Sequence, residues 1–375
     1  MISPAGQDAI RPSFSPDGRL IAYVRVPPSD PAEAVEGAPI AHRAGEEIWQ
    51  IDVTTGQAAR RVSIEDLTLA GLIAIRYTLR DLAWSPAGDR LAFTWLDGTG
   101  WGQVAFASAD GSVVPLPAPV MSDPWEKGAL FDLSSSQFLW DSDGRSGTFV
   151  GWDEECGSLY RAAAPAPGSW PGVPVRPPEP GAAPEEKGPS GEPLAAPPAT
   201  PEPLPLPSGC RPFLLGMPGF WLVSQFGEEF TQEISIVRAS GEELETLALP
   251  EGRPPRVRWG GPRGGGRPSV IGWWRDEVRR ERILFEWSSD LLTEWRREPC
   301  PSDRADPLMM TSAGILFLDG PPEAARLALL PRPGASPQEI LAAPVEEIVV
   351  SSSGRTAVAV RGAAKARSLW LIDLP

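Results

Sequence analysis

Arg11-Pro12-Ser13-Phe14-Ser15-Pro16-Asp17-Gly18-Arg19-Leu20-Ile21-Ala22-Tyr23-Val24 reads as a strand, a tight turn and a second strand. Small apolar and aromatic residues before the turn suit a strand covered on both faces. Pro16 presets φ, Asp17 tolerates unusual backbone angles, and Gly18 takes positive φ without a Cβ clash. The same pattern returns at Leu82-Ala83-Trp84-Ser85-Pro86-Ala87-Gly88-Asp89-Arg90-Leu91-Ala92-Phe93. A worn copy runs from Ile348 through Ser351-Ser352-Ser353-Gly354 to Val360. One hairpin cannot bury its own faces, but several copies stacked around an axis can.

Working outward, each hairpin extends to a unit of four short strands. In the first, Glu47–Val53 and Gln57–Val62 follow a long loop, Pro27–Gly45, that holds the only histidine, His42. Ser63–Thr78 reads as an apolar insertion, in which Ser63-Ile64-Glu65-Asp66 suits either a capped helical turn or an extra edge strand. The second unit runs from about Leu79 to Pro117. The third begins near Ser136 and turns at Asp141-Ser142-Asp143-Gly144. From Pro165 to Pro207 roughly a third of the residues are proline, so the segment cannot bury enough apolar surface to order itself. It is expected to be an insertion in or after the third unit. Further units start near Arg211, Arg256, Pro307 and Val345, with Gly260–Arg267 as the turn of the fifth.

The expected fold is all-β: a propeller of seven four-stranded blades, formed as one domain over 1–375 with a disordered proline-rich insertion at about 165–209. Irregular turns in the middle units leave six or eight blades open. The last unit has three strands. Met1–Ser3 are placed to supply its missing outer strand and close the ring.

Composition agrees. The chain has 375 residues, with 38 glycines, 45 prolines and little helical periodicity, as many short strands and turns require. Its 15 tryptophans are expected chiefly to pack between sheets. A net charge of −15 repels phosphate backbones, so no nucleic-acid partner is expected. The same charge disfavours an anionic membrane surface, and no apolar run is long enough for direct membrane insertion. The first residues lack a basic patch followed by an apolar core, so a cytoplasmic location is expected, although a mature exported form reads the same way. Cys156, Cys210 and Cys300 are far apart and form no C-x-x-C pair, which suits reduced thiols.

The chain offers little for catalysis. One histidine cannot build histidine-rich metal sites, and no G-x-S-x-G elbow accompanies it, so no catalytic, metal or cofactor-binding residue is assigned and no cofactor is expected. Gly260–Arg267 lacks the strand-loop-helix setting and the Lys-Ser/Thr ending of a phosphate loop. Asp141–Gly144 lacks the twelve-residue calcium pattern and reads as a turn. Asp153-Glu154-Glu155 and Glu228-Glu229 alternate across a strand and make no facing pairs. What remains is surface and axis. Arg11, Asp81, Gln137 and Arg258 fall where first strands converge, and are candidates to line a central channel. Trp101, Trp125, Trp152, Trp273 and Trp274 lie at strand ends and loops, and are candidate interface anchors.

Phe14-Ser15-Pro16-Asp17-Gly18-Arg19-Leu20-Ile21-Ala22-Tyr23 resembles the repeat of TolB-type propellers, also called WD40-like or PD40 repeats. Glu47-Ile48-Trp49-Gln50-Ile51-Asp52-Val53-Thr54-Thr55-Gly56 resembles that family's third strand and following turn, as does Ser368-Leu369-Trp370-Leu371-Ile372-Asp373. Trp84–Phe93 matches the first hairpin again. The likeness covers about a quarter of the chain and implies a propeller. It further implies binding to other proteins, or service as the non-catalytic gate of prolyl-oligopeptidase-type enzymes, and specifies no catalytic residue. The expected function is a non-catalytic interaction scaffold for a protein partner or multi-subunit complex. The alternative is an enzyme or small-ligand binder that uses the axial channel.

Overall fold

In a computed structural model the hairpins stand as expected, at Asp8–Phe14 with Leu20–Val26 and at Tyr77–Trp84 with Leu91–Asp97. The structure describes residues 1–4, 8–26, 45–72, 77–97, 101–109, 111–116, 121–122, 138–152, 157–165, 201–204, 210–211, 216–217, 220–226, 232–238, 243–248, 256–263, 267–276, 281–288, 296–299, 302, 305–311, 313–321, 324–331, 335–341, 344–351, 353–362 and 366–374. The Pro27–Gly45 loop apart from Gly45, Gln137, Trp125, both acidic runs and most of the proline-rich segment lie outside the described residues.

Local chemistry sets each turn. Gly18, Gly88, Gly144 and Gly354 have φ of 71°, 73°, 65° and 69°. Their amides donate to the carbonyls of Ser15, Ser85, Asp141 and Ser351 at 2.8, 2.8, 2.9 and 2.9 Å. The serine hydroxyl then ties the turn to the next strand. Ser15 Oγ accepts from the Leu20 amide at 2.8 Å, Ser85 Oγ from Arg90 at 3.1 Å and Ser351 Oγ from Thr356 at 3.3 Å. In the third sheet Asp141 replaces serine, and its carboxylate takes the Ser146 hydroxyl and the Arg161 guanidinium. That arrangement agrees with a turn at Asp141–Gly144.

Among the described residues the strands form seven antiparallel sheets in chain order. The first, third, fifth and sixth have four strands, the second and fourth five, and the seventh three. In the second, Met121–Ser122 adds the fifth strand by pairing with Trp101 and Gly102. Several expected boundaries move. Tyr77–Arg80 belongs to the first strand of the second sheet, so the insertion after Val62 ends before Tyr77. Ser63 caps a helix, Ile64–Leu69, rather than opening an edge strand. Its hydroxyl accepts from the Asp66 amide while the Asp66 carboxylate accepts from the Ser63 amide. Gly260–Arg263 is strand rather than turn, in register with Arg267–Val270. The fourth strand of that sheet is Arg296–Pro299. Glu202–Pro203 pairs with Tyr160 and Arg161, which places the proline-rich segment between the third and fourth strands of the third sheet.

The core lies between sheets. One apolar cluster joins the seventh, first and second sheets through Val358, Val360 and Leu369, then Ala9, Ile21 and Ile48, then Leu79, Leu91 and Phe93. A second joins the second and third sheets, where the Phe138 ring meets Phe106 and Trp140 edge-on at 4.9 and 5.0 Å. Others join the fifth to the sixth, through Ile271 and Phe317, and the sixth to the seventh, through Leu316 and Ala357. Burying each large apolar side chain contributes about 1.5–3 kcal/mol, and these clusters draw on neighbouring sheets, so an isolated sheet loses part of it. Polar staples add direction. Trp84 Nε1 donates to the Ser13 carbonyl at 3.0 Å across the first junction, with the Arg61 guanidinium 4.7 Å above its ring. No helix among the described residues is long and apolar enough to cross a membrane.

Candidate functional site

First strands of several neighbouring sheets lie alongside one another. Asp8–Phe14 lies against both Tyr77–Trp84 and Glu347–Val350, and Arg256–Arg263 lies against Asp306–Thr311. Four of these strands share an irregularity: pairing register slips between Ile10 and Ser13, Arg80 and Ala83, Val257 and Trp259, and Pro307 and Met309. Such a bulge inserts an unpaired residue and re-aims its side chain. Arg11, Asp81 and Arg258 all occupy this slip.

Arg11 and Asp81 have φ of 53° and 54°, and among the described residues they alone are non-glycine with positive φ. Conformations of this kind cost about 1–3 kcal/mol each and persist only where the surroundings enforce them. The enforcing contacts run from sheet to sheet. Glu347, on the seventh sheet, accepts the Arg11 amide through Oε2 at 2.9 Å. The Arg11 guanidinium reaches forward to the second sheet, where Nη1 donates to the Leu79 carbonyl and lies 3.6 Å from Glu46 Oε2. Glu46 is buried and accepts the Leu79 amide at 2.6 Å. Charges of the seventh and first sheets are thereby joined, through the Leu79 backbone, to the second.

Burial dominates the electrostatics. Protein surrounds Arg11 on most sides, which lowers the guanidinium pKa, while Glu46, Asp81 and Glu347 oppose the shift. Glu347 is pushed up by burial, opposed by the Arg11 amide and by the charges of Arg11 and Arg367. Asp81 pushes it further up by like-charge repulsion. Arg11 still leaves 28% of its side chain open to water.

The structure therefore brings Arg11 and Asp81 together, puts Arg258 at the matching slip of the fifth sheet, and leaves Gln137 outside the described residues. Sequence reading missed Glu347 and Glu46. Glu347 carried a usable signal: it stands four residues before Ser351, as Arg11 stands before Ser15 and Asp81 before Ser85. Glu46 carried none, since its role depends on Leu79 coming alongside. Of the tryptophan candidates, Trp101 opens the strand Trp101–Ala107 and pairs with Ser122. Trp152 ends Ser146–Trp152, opposite Gly157. Trp273 and Trp274 lie near the end of Arg267–Asp276, opposite Leu284 and Ile283, and Trp125 lies outside the described residues.

No protein-family model matches the chain, and no curated protein matches its sequence. Solved structures do match. The β-propeller domain of the Trilobed protease from Pyrococcus furiosus is 11% identical at a TM-score of 0.57, over 99% of this chain and 95% of that one. A structure from a study of two prolyl endopeptidases is 10% identical at 0.57, over 98% of this chain and 50% of that one. Hydrazine synthase from Kuenenia stuttgartiensis is 10% identical at 0.56, over 99% and 97%. The fold is a β-propeller. At these identities the likeness is one of fold, as the TolB-type hairpins implied. The chain spans about half the length of the prolyl endopeptidase structure.

Among the described residues no three His, Cys, Asp or Glu side chains group as metal ligands would. What the axial contacts offer chemically is a set of fixed charges and donors on strained backbone, suited to orienting a bound polar group.

Proposed function

We propose that this chain is a non-catalytic interaction propeller that holds a protein partner, alone or as a subunit of a larger assembly, within the cytoplasm. Arg11, Asp81, Gln137, Arg258 and Glu347 are the residues proposed to line its axial mouth. The observation that carries this reading is the pair of strained positions, Arg11 and Asp81, at matching slips of adjoining first strands. A scaffold that served packing alone would place glycine there. Trp101, Trp125, Trp152, Trp273 and Trp274 are proposed as the apolar anchors around the partner.

The test is affinity capture of the tagged chain from native lysate, beside the variants Asp81→Asn and Arg11→Lys checked for native circular dichroism. The reading expects a stoichiometric protein partner that wild type retains and the axial variants lose. Equal capture by wild type and both variants, or turnover of a peptide or sugar with no partner, overturns it.

A further inference from the structure

The axial contacts share residues with the seam that closes the ring. At this seam, between the seventh and first sheets, the contacts join residues more than 330 positions apart in sequence. They form three tiers. At the outside, the Ile2 amide donates to the Leu369 carbonyl at 2.8 Å, and the Leu369 amide to Ser3 Oγ at 3.0 Å. In the middle, the Ala9 amide donates to the Arg367 carbonyl at 3.0 Å. The Arg367 guanidinium grips the buried Asp8 carboxylate through Nε at 2.8 Å and Nη2 at 3.0 Å. At the axis, the Arg11 amide meets Glu347.

These tiers are not independent. Arg367 also lies 3.6 Å from Glu346, the neighbour of Glu347, so one dipeptide holds both the clasp and the axial contact. Asp8 and Arg11 lie on one strand, and Glu347 opens the strand beside it. Moving the Glu347–Val350 strand away from Asp8–Phe14 would break the Arg11 contact and strip the clasp of Glu346 in one motion. Ala9, Val358, Val360 and Leu369, all buried in one cluster, would be uncovered with them.

We infer that the axial ring and the ring-closing seam open and close as one unit, so that a segment held at Arg11 and Glu347 holds the ring shut. This regulatory coupling rests on the proposed function for what occupies the axis, and on the contacts above for the coupling itself. Coupling of this kind is reciprocal: whatever loosens the clasp loosens the axial site, and the reverse.

Hydrogen exchange on the full chain tests it without a partner, read by fragment mass spectrometry over Asp8–Phe14, Leu91–Asp97 and Ser368–Asp373. Arg367→Gln should speed exchange about tenfold or more in both the first and the last of these segments and leave the middle one protected. Glu347→Ala, which removes the acceptor of the Arg11 amide but neither hydrogen bond of the Arg367–Asp8 clasp, should speed Ser368–Asp373 as well. Arg367→Lys, which keeps the charge, should fall between wild type and Arg367→Gln. Acceleration confined to Ser368–Asp373 in Arg367→Gln, an unchanged Ser368–Asp373 in Glu347→Ala, or equal acceleration of all three segments overturns the inference. Failed partner capture with the coupling intact would instead strike only the proposed function.

Discussion

Trp140 donates its indole hydrogen to the carbonyl of Ala83 at 2.9 Å, across the junction between the second and third sheets. One junction earlier Trp84 bonds Ser13 in the same register, so the contact is a repeated inter-sheet staple. Arg90 completes the second copy. Its guanidinium lies 5.1 Å over the Trp140 ring and donates to the carbonyls of Gly144 and Pro165. An arginine from one sheet thus covers a tryptophan of the next and ties down that sheet's turn.

Trp140→Phe keeps a ring in the cluster with Phe106 and Phe138 but leaves the Ala83 carbonyl without its donor. A buried acceptor left unmade costs about 1–3 kcal/mol, and chemical denaturation should show that loss. An unchanged midpoint would mean that the staple contributes nothing.

Two glycines separate backbone strain from crowding. Gly88 has φ of 73° and the nearest atom to an added Cβ is 3.8 Å away, so Gly88→Ala should cost only about 1–2 kcal/mol of left-handed strain. Gly147 has negative or extended φ, but an added Cβ would lie 2.3 Å from the Leu139 carbonyl and 2.3 Å from the Phe138 ring. Gly147→Ala should destabilise more than Gly88→Ala in parallel melts. The reverse order would remove the crowding account.

Removing residues 1–4 deletes the Ile2 and Ser3 contacts to Leu369 and exposes one edge of the seventh sheet. The melting temperature should fall by a few degrees. A melt superimposable on the full chain would show that the strap does not support ring closure.

Glu347 gives a pH signature. Its folded pKa is raised above 4.5, chiefly by burial, so the neutral form is favoured in the folded state. Its contribution is therefore fully present below 4.5 and is lost as pH rises through the raised value. Glu347→Gln does not ionise and still offers the Arg11 amide an acceptor. The stability of wild type relative to this variant should decline as pH rises above 4.5. A flat or rising difference would contradict the assigned direction.

The sequence alone determined the hairpins, and with them the fold class. Ser15, Pro16 and Gly18 need only each other and Leu20 to make their turn, so the information is local and repeats legibly at Ser85 and Ser351. Boundaries were harder wherever pairing rather than composition decides. Gly260–Arg263 reads as turn until Arg267–Val270 comes alongside, and Glu202–Pro203 reads as proline-rich loop until Tyr160 and Arg161 pair with it. Tertiary structure alone decided the candidate site. Arg11 and Asp81 could be placed on converging strands from their positions in the repeat. That Glu347 would accept the Arg11 amide, and Glu46 the Leu79 amide, could not. Hydrogen bonds between residues so far apart in the chain follow from the angle and spacing at which neighbouring sheets pack, and no local window of residues encodes that.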